Sequence, residues 1–151
     1  MHSIHTSIDI DAPAETVWEV LTDFEQYPEW NGHTRITGTA AEGERLTVAP
    51  GPDGERMPTF KPRVLRADEG ELAWLGHLWV RGLFDGEHSF VVEDLGRGES
   101  RLVQSEAFSG VLAGVLLRRY GARTEATFEA VNAALKERAE ALAAETTAAA
   151  A

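Results

Sequence analysis

The sequence predicts an α+β domain in which a curved, seven-stranded antiparallel sheet wraps around one long C-terminal helix, with two short helices after the first strand. Three observations predict it. Apolar residues alternate with a period of two in Ile4–Ile10 and in runs between residues 33 and 109. Short turn sequences separate those runs. From Val111 onward the period changes to three or four, the spacing of an amphipathic helix.

Ile4, Thr6, Ile8 and Ile10 share one face of the first strand, with His5, Ser7 and Asp9 on the other. Asp11-Ala12-Pro13 breaks it. Pro13 suits a first helical turn, Glu15 complements the helix dipole there and Asp11 is the candidate cap. Val17, Trp18, Leu21 and Phe24 carry the first short helix, and Asp23–Asn31 is read as a second that ends near Pro28. Strands are expected near 33–40, 44–50, 57–66, 71–80, 87–95 and 100–109, paired as a meander because their turns are short. The long helix is expected from Val111 to about Ala144, along the stripe Ala113, Leu117, Tyr120, Thr124, Phe128, Val131 and Leu135. At 1.5 Å per residue it would be roughly 50 Å long, with Gly114 and Gly121 weakening its first turns. A single domain over 1–145 and a frayed tail over 146–151 complete the reading.

With 151 residues the chain is long enough to bury a sizeable core without staples. It has no cysteine, which excludes disulfides, a thiolate nucleophile and Cys-based metal sites. The formal charge of −11 opposes phosphate backbones, so nucleic acid is not expected as a partner. No apolar run approaches the ~20 residues of a membrane span and no leader pattern opens the chain, so integral membrane association is not expected and a cytoplasmic location is the default.

Several phrases resemble one family. They are Ile8-Asp9-Ile10-Asp11-Ala12-Pro13 running into Val17-Trp18, then Leu21-Thr22-Asp23-Phe24-Glu25-Gln26-Tyr27-Pro28-Glu29-Trp30-Asn31. Trp74-Leu75-Gly76, Gly82–Phe90 and Gln104–Gly110 follow. In this order they resemble the START-like (SRPBCC) superfamily, in particular its bacterial polyketide cyclase/dehydrase and lipid-transport family, over about Ser3 to Ala144. The resemblance implies a helix-grip fold with a cavity for a small hydrophobic, lipid- or polyketide-like molecule. The alternative it implies, behind ligand binding, is an aromatase/cyclase-like enzyme acting on a polyketide or related carbonyl compound.

Alternation turns Leu72, Trp74, Gly76 and Leu78 to one side, and likewise His88, Phe90 and Val92, and Leu102, Gln104, Glu106 and Phe108. If those sides are concave, His88, Gln104 and Glu106 form a polar handle among apolar neighbours, as ligand pockets require. His88 and Glu106 are first of all a paired contact supporting the cavity wall; direct ligand contact and acid–base catalysis are the alternatives. Phe60, Trp74, Phe90, Phe108, Tyr120, Thr124 and Phe128 complete the candidate ligand-binding set. Trp18 and Trp30 are read as staples for the short helices.

Trp79 points opposite to Trp74, as an exposed residue at an edge would, which leaves a partner contact or a homodimer open. Arg63 is read as a solvated charge, Arg66 as a rim residue, and Arg118, Arg119 and Arg123 as a solvated basic patch near the cavity mouth. The five histidines lack metal-ligand spacing, and neither a phosphate loop nor a G-x-S-x-G elbow occurs, so no metal and no cofactor are expected.

Overall fold

The structure is a computed structural model that describes residues 2–54 and 56–150. Met1 and Ala151, the outer ends of the expected domain and tail, lie outside the described residues. The chain runs through β1 (His2–Ile10), α1 (Ala14–Thr22), a 3-10 helix (Phe24–Glu29), β2 (Thr34–Thr37), β3 (Thr47–Pro50) and β4 (Arg63–Asp68). It continues through β5 (Glu71–Leu78), β6 (Phe84–Gly96), β7 (Glu99–Ser109) and α2 (Ala113–Ala150).

The sheet differs from the expectation of seven continuous strands. Five strands pair antiparallel in the order β1-β7-β6-β5-β4, and β2 pairs with β3 as a separate two-stranded ribbon. Isolated bridges at Arg45–Arg63 and Val48–Phe60, with backbone hydrogen bonds linking Gly43, Glu44 and Leu46 to Pro62 and Val64, tie this segment to the β4 edge. Proline explains the interruption: Pro50, Pro52, Pro58 and Pro62 crowd this stretch, and none has an N–H for a ladder. The strand expected over 57–66 therefore begins only at Arg63. A bulge between Val64 and Arg66 then resets the alternation of β4. Arg66, expected at the rim by parity, is consequently exposed and paired with Glu71 at 3.0 Å.

The second short helix is a 3-10 helix instead of an α-helix, with Pro28 inside it. Its tight winding stacks Phe24 on Tyr27 (5.5 Å) and Tyr27 on Trp30 (4.7 Å), and the buried Tyr27 hydroxyl donates to the Leu21 carbonyl at 2.5 Å. Pro13, not Asp11, occupies the N-cap of α1. The Asp11 amide instead donates to Glu140 of α2 at 2.8 Å, locking the chain break to the long helix.

The inner face of the sheet packs against α2 and α1. Leu21, Leu46, Leu72, Leu102 and Leu135 are all fully buried in the principal core, each worth about 1.5–3 kcal/mol of burial. A second, smaller apolar cluster of Ile4, Phe108, Ala113 and Phe128, with Phe84 and Leu117 against it, lies apart from the first. Helix α2 extends to Ala150, beyond the end of its apolar stripe, although every side chain from 144 to 150 is exposed. Among the described residues no helix is long and apolar enough to cross a membrane.

Candidate functional site

Antiparallel register brings the polar inner-face residues of three strands level. Thr6 of β1 lies opposite Gln104 of β7, and His88 of β6 lies opposite Glu106 of β7 and Trp74 of β5. The structure thus gathers His88, Gln104 and Glu106 on one face. It adds Thr6 and Asn132 to them, two residues that sequence reasoning did not assign to the site. Thr6 was visible as the one polar residue on an isoleucine face, and Asn132 as an amide between Val131 and Leu135 on the buried stripe.

His88, Gln104, Asn132 and Thr6 form a continuous chain of hydrogen bonds, and Glu106 lies against the imidazole at its head. Glu106 Oε1 lies 3.2 Å from His88 Nδ1, and His88 Nε2 lies 2.9 Å from Gln104 Oε1. The Gln104 amide donates to Asn132 Oδ1 at 2.6 Å and to the Phe128 carbonyl at 3.3 Å. Asn132 donates to Thr6 Oγ1 at 2.9 Å, and Thr6 donates to the Gln104 carbonyl at 2.8 Å. Gln104, Asn132 and Thr6 are buried, where an unmet polar group costs about 1–3 kcal/mol, so the closed chain is what makes this polar layer tolerable. It separates the two apolar clusters.

Aromatic rings box the imidazole: Trp74 at 5.1 Å, Phe90 at 4.7 Å and Phe128 at 4.8 Å between centroids. Phe84 stacks on Phe108 at 5.3 Å nearby in the smaller cluster. The pair at the head of the chain is less enclosed than the rest, with side chains 12% exposed for His88 and 18% for Glu106. Gly86 sits directly against the second carboxylate oxygen, Oε2, which forms no hydrogen bond among the described residues. Gly76, paired with Gly86 in register, leaves a second place on this face without a side chain, covered by the half-buried Phe60 ring.

Not every candidate joins this arrangement. Tyr120 is 44% exposed, its hydroxyl accepting from Arg119 at 3.1 Å. Thr124 turns its hydroxyl back onto the Tyr120 carbonyl at 3.1 Å. The reason lies in α2 itself. Between Ala113 and Phe128 none of its side chains is buried, and Gly121 and Ala122 are too small to fill the space beside β1. An open groove of about 580 Å3 remains there, lined by His2, Ser3, Ile4, Leu117, Gly121 and Glu125 among others. This groove is the space the structure leaves between β1 and α2, while further in the rings of Trp74, Phe90 and Phe128 pack against the imidazole. A second depression, about 520 Å3, is on the outer sheet face around His5, Asp9 and Arg101.

Trp79 lies beyond the end of β5 with a left-handed backbone (φ 66°) and is 62% exposed. Arg63 is exposed as expected, and Trp18 and Trp30 pack against the principal core. Among the described residues no group of histidine and carboxylate side chains is placed to hold a metal ion.

With the sheet, the long helix and the polar layer described, the relatives are informative. The family model for polyketide cyclase / dehydrase and lipid transport matches residues 1–146. The chain belongs to that family. Solved structures agree on the fold. A START superfamily protein from Mycobacterium smegmatis is similar at 21% identity and a TM-score of 0.71, covering 94% of this chain and 99% of that one. The Zhui aromatase/cyclase from Streptomyces sp. R1128 is similar at 20% identity and a TM-score of 0.72, covering 92% and 93%. Norcoclaurine synthase from Thalictrum flavum is similar at 16% identity and a TM-score of 0.70, covering 91% and 93%. No curated protein sequence matches the chain. At these identities the structural likeness establishes the helix-grip fold that the family shares, and the chemistry has to be read from this chain's own residues.

Proposed function

We infer that this family member binds a small hydrophobic molecule between the sheet and α2, oriented by the His88–Glu106 pair. The observation that carries this reading is the unengaged Glu106 Oε2, a partly exposed polar anchor beside an imidazole boxed by aromatic rings. A purely structural ion pair would gain from burying both oxygens in partners, and here one is left open. The groove beside Gly121 supports the reading further, since its lining includes Ile4 and Leu117 of the smaller cluster. Between Ala113 and Phe128 the side chains of α2 are not buried, which leaves room for a ligand beside that cluster. Lipid transport in the family's description favours the same class of ligand.

Protein purified under native conditions should carry, or be stabilised by, a hydrophobe when surveyed by native mass spectrometry and thermal shift. Fatty acids, sterols and aromatic polyketides form the panel. An empty protein that no class stabilises would refute the reading.

A second reading, an aromatase/cyclase-like enzyme, is favoured by the direct imidazole–carboxyl contact, a pairing suited to moving a proton at carbon beside a carbonyl. Its check is the loss of turnover of a carbonyl substrate in His88→Ala and Glu106→Gln variants that remain folded.

A further inference from the structure

The direction of the hydrogen-bond chain specifies what the open end of the site will accept. Two backbone carbonyls, which can only accept, anchor it. The Phe128 carbonyl requires the nitrogen of the Gln104 amide on its side, so Gln104 Oε1 faces His88. The Gln104 carbonyl takes the Thr6 hydroxyl proton, so Thr6 Oγ1 receives from the Asn132 amide, and Asn132 Oδ1 faces Gln104. His88 Nε2 therefore carries a proton, because its neighbour there is an acceptor.

The other ring nitrogen faces Glu106 Oε1 at 3.2 Å. Oε2, the oxygen turned away from the imidazole, has no hydrogen-bond partner among the described residues, and as a carboxylate oxygen it can only accept.

We propose that the site selects neutral hydroxyl-bearing ligands, whose O–H donates to Glu106 Oε2, and disfavours carboxylates and ligands that only accept. This deepens the ligand-binding reading above and rests on it. A carboxylate or an ether would set lone pairs against Oε2 at a site shielded from most of the solvent. A ketone meets Oε2 only as its enol. The neighbouring rings of Phe84, Phe108 and Phe128 match a flat aromatic body carrying that hydroxyl.

Four probes of one shape separate the possibilities: naphthalene, 2-naphthol, 2-methoxynaphthalene and 2-naphthoate, measured by calorimetry or fluorescence. We expect 2-naphthol to bind about tenfold more tightly than 2-methoxynaphthalene, the size of one hydrogen bond to a carboxylate oxygen, with 2-naphthoate weakest. In Glu106→Ala the gap between naphthol and its methyl ether should fall to within about twofold. Gly86→Ala, whose added carbon displaces Oε2, provides the same check should the first variant not fold. Equal affinity for the naphthol and its ether, tighter binding of 2-naphthoate, or a gap that survives both substitutions would overturn the inference while leaving hydrophobic ligand binding in place. Failure of all four probes together with the lipid, sterol and polyketide panel would remove the binding reading itself and this inference with it.

Discussion

The carboxyl group of Glu106 occupies the space that a side chain at position 86 would fill. A Cβ built on Gly86 would collide with Oε2, the far end of a flexible side chain that can swing away. Gly86→Ala should therefore leave the fold intact, its lost carboxyl contact partly offset by the ~0.4–1 kcal/mol that Gly→Ala gains through the unfolded chain. Urea denaturation should show a net change within about 1 kcal/mol. An unfolded Gly86→Ala protein would contradict the assignment of Gly86 as clearance for the carboxyl.

The polar layer makes a second, cooperative prediction. Asn132→Leu removes a partner from both Gln104 and Thr6 and should destabilise by about 2–4 kcal/mol, since two buried groups each lose one of their hydrogen bonds. Adding Thr6→Val removes one of the stranded groups, so the double variant should be more stable than the sum of the two losses. Strict additivity in denaturant titrations would count against a connected chain.

Position along α2 decides the cost of truncating its apolar residues. Leu135→Ala empties a fully buried site of the principal core and should cost about 2–5 kcal/mol. Val115→Ala, at a residue 60% exposed, should stay within about 0.5 kcal/mol. Similar losses at both positions would mean that the first half of the helix packs more closely than described.

Acid should weaken the clamp between α2 and the β1–α1 break. Glu140 is held below the usual glutamate value first by the Lys136 ammonium at 2.5 Å and then by the Asp11 amide at 2.8 Å. Its folded value lies under its unfolded one, so the stabilisation is complete at neutral pH and is lost as pH falls through the lowered folded value. Both side chains are about a third exposed, at 36% and 32%, which limits the effect to about 0.5 kcal/mol. Glu140→Gln should lower the melting temperature by ~1–2 °C at pH 7 and by nothing measurable in strong acid. A difference that persists below the folded value would assign the effect to something other than this charge.

Much of this molecule is legible in local pattern. Alternation along β1, β5, β6 and β7 reported which residues face α2, because a strand sends every second side chain to the same side. That places Trp74, His88, Phe90, Gln104 and Glu106 on one surface from the sequence alone. Where local pattern fell short, a backbone detail intervened: the bulge between Val64 and Arg66 broke the alternation of β4 and left the expected rim residue Arg66 exposed, and prolines around 50–62 split one sheet into a sheet and a ribbon. Tyr120 follows helical spacing faithfully and is exposed all the same, since spacing reports a face and not what that face meets.

By itself the sequence determined the element order, the inward face of each long strand and the family, all of which depend on residues close together in the chain. Only the tertiary structure decided that Asn132 and Thr6, 126 residues apart, complete the polar layer and that three aromatic rings box the His88 imidazole. Strand register and helix depth bring those groups into contact, and both are settled by packing over the whole fold. The orientation of each hydrogen bond in that layer, and with it the acceptor left open at Glu106, follows from those contacts.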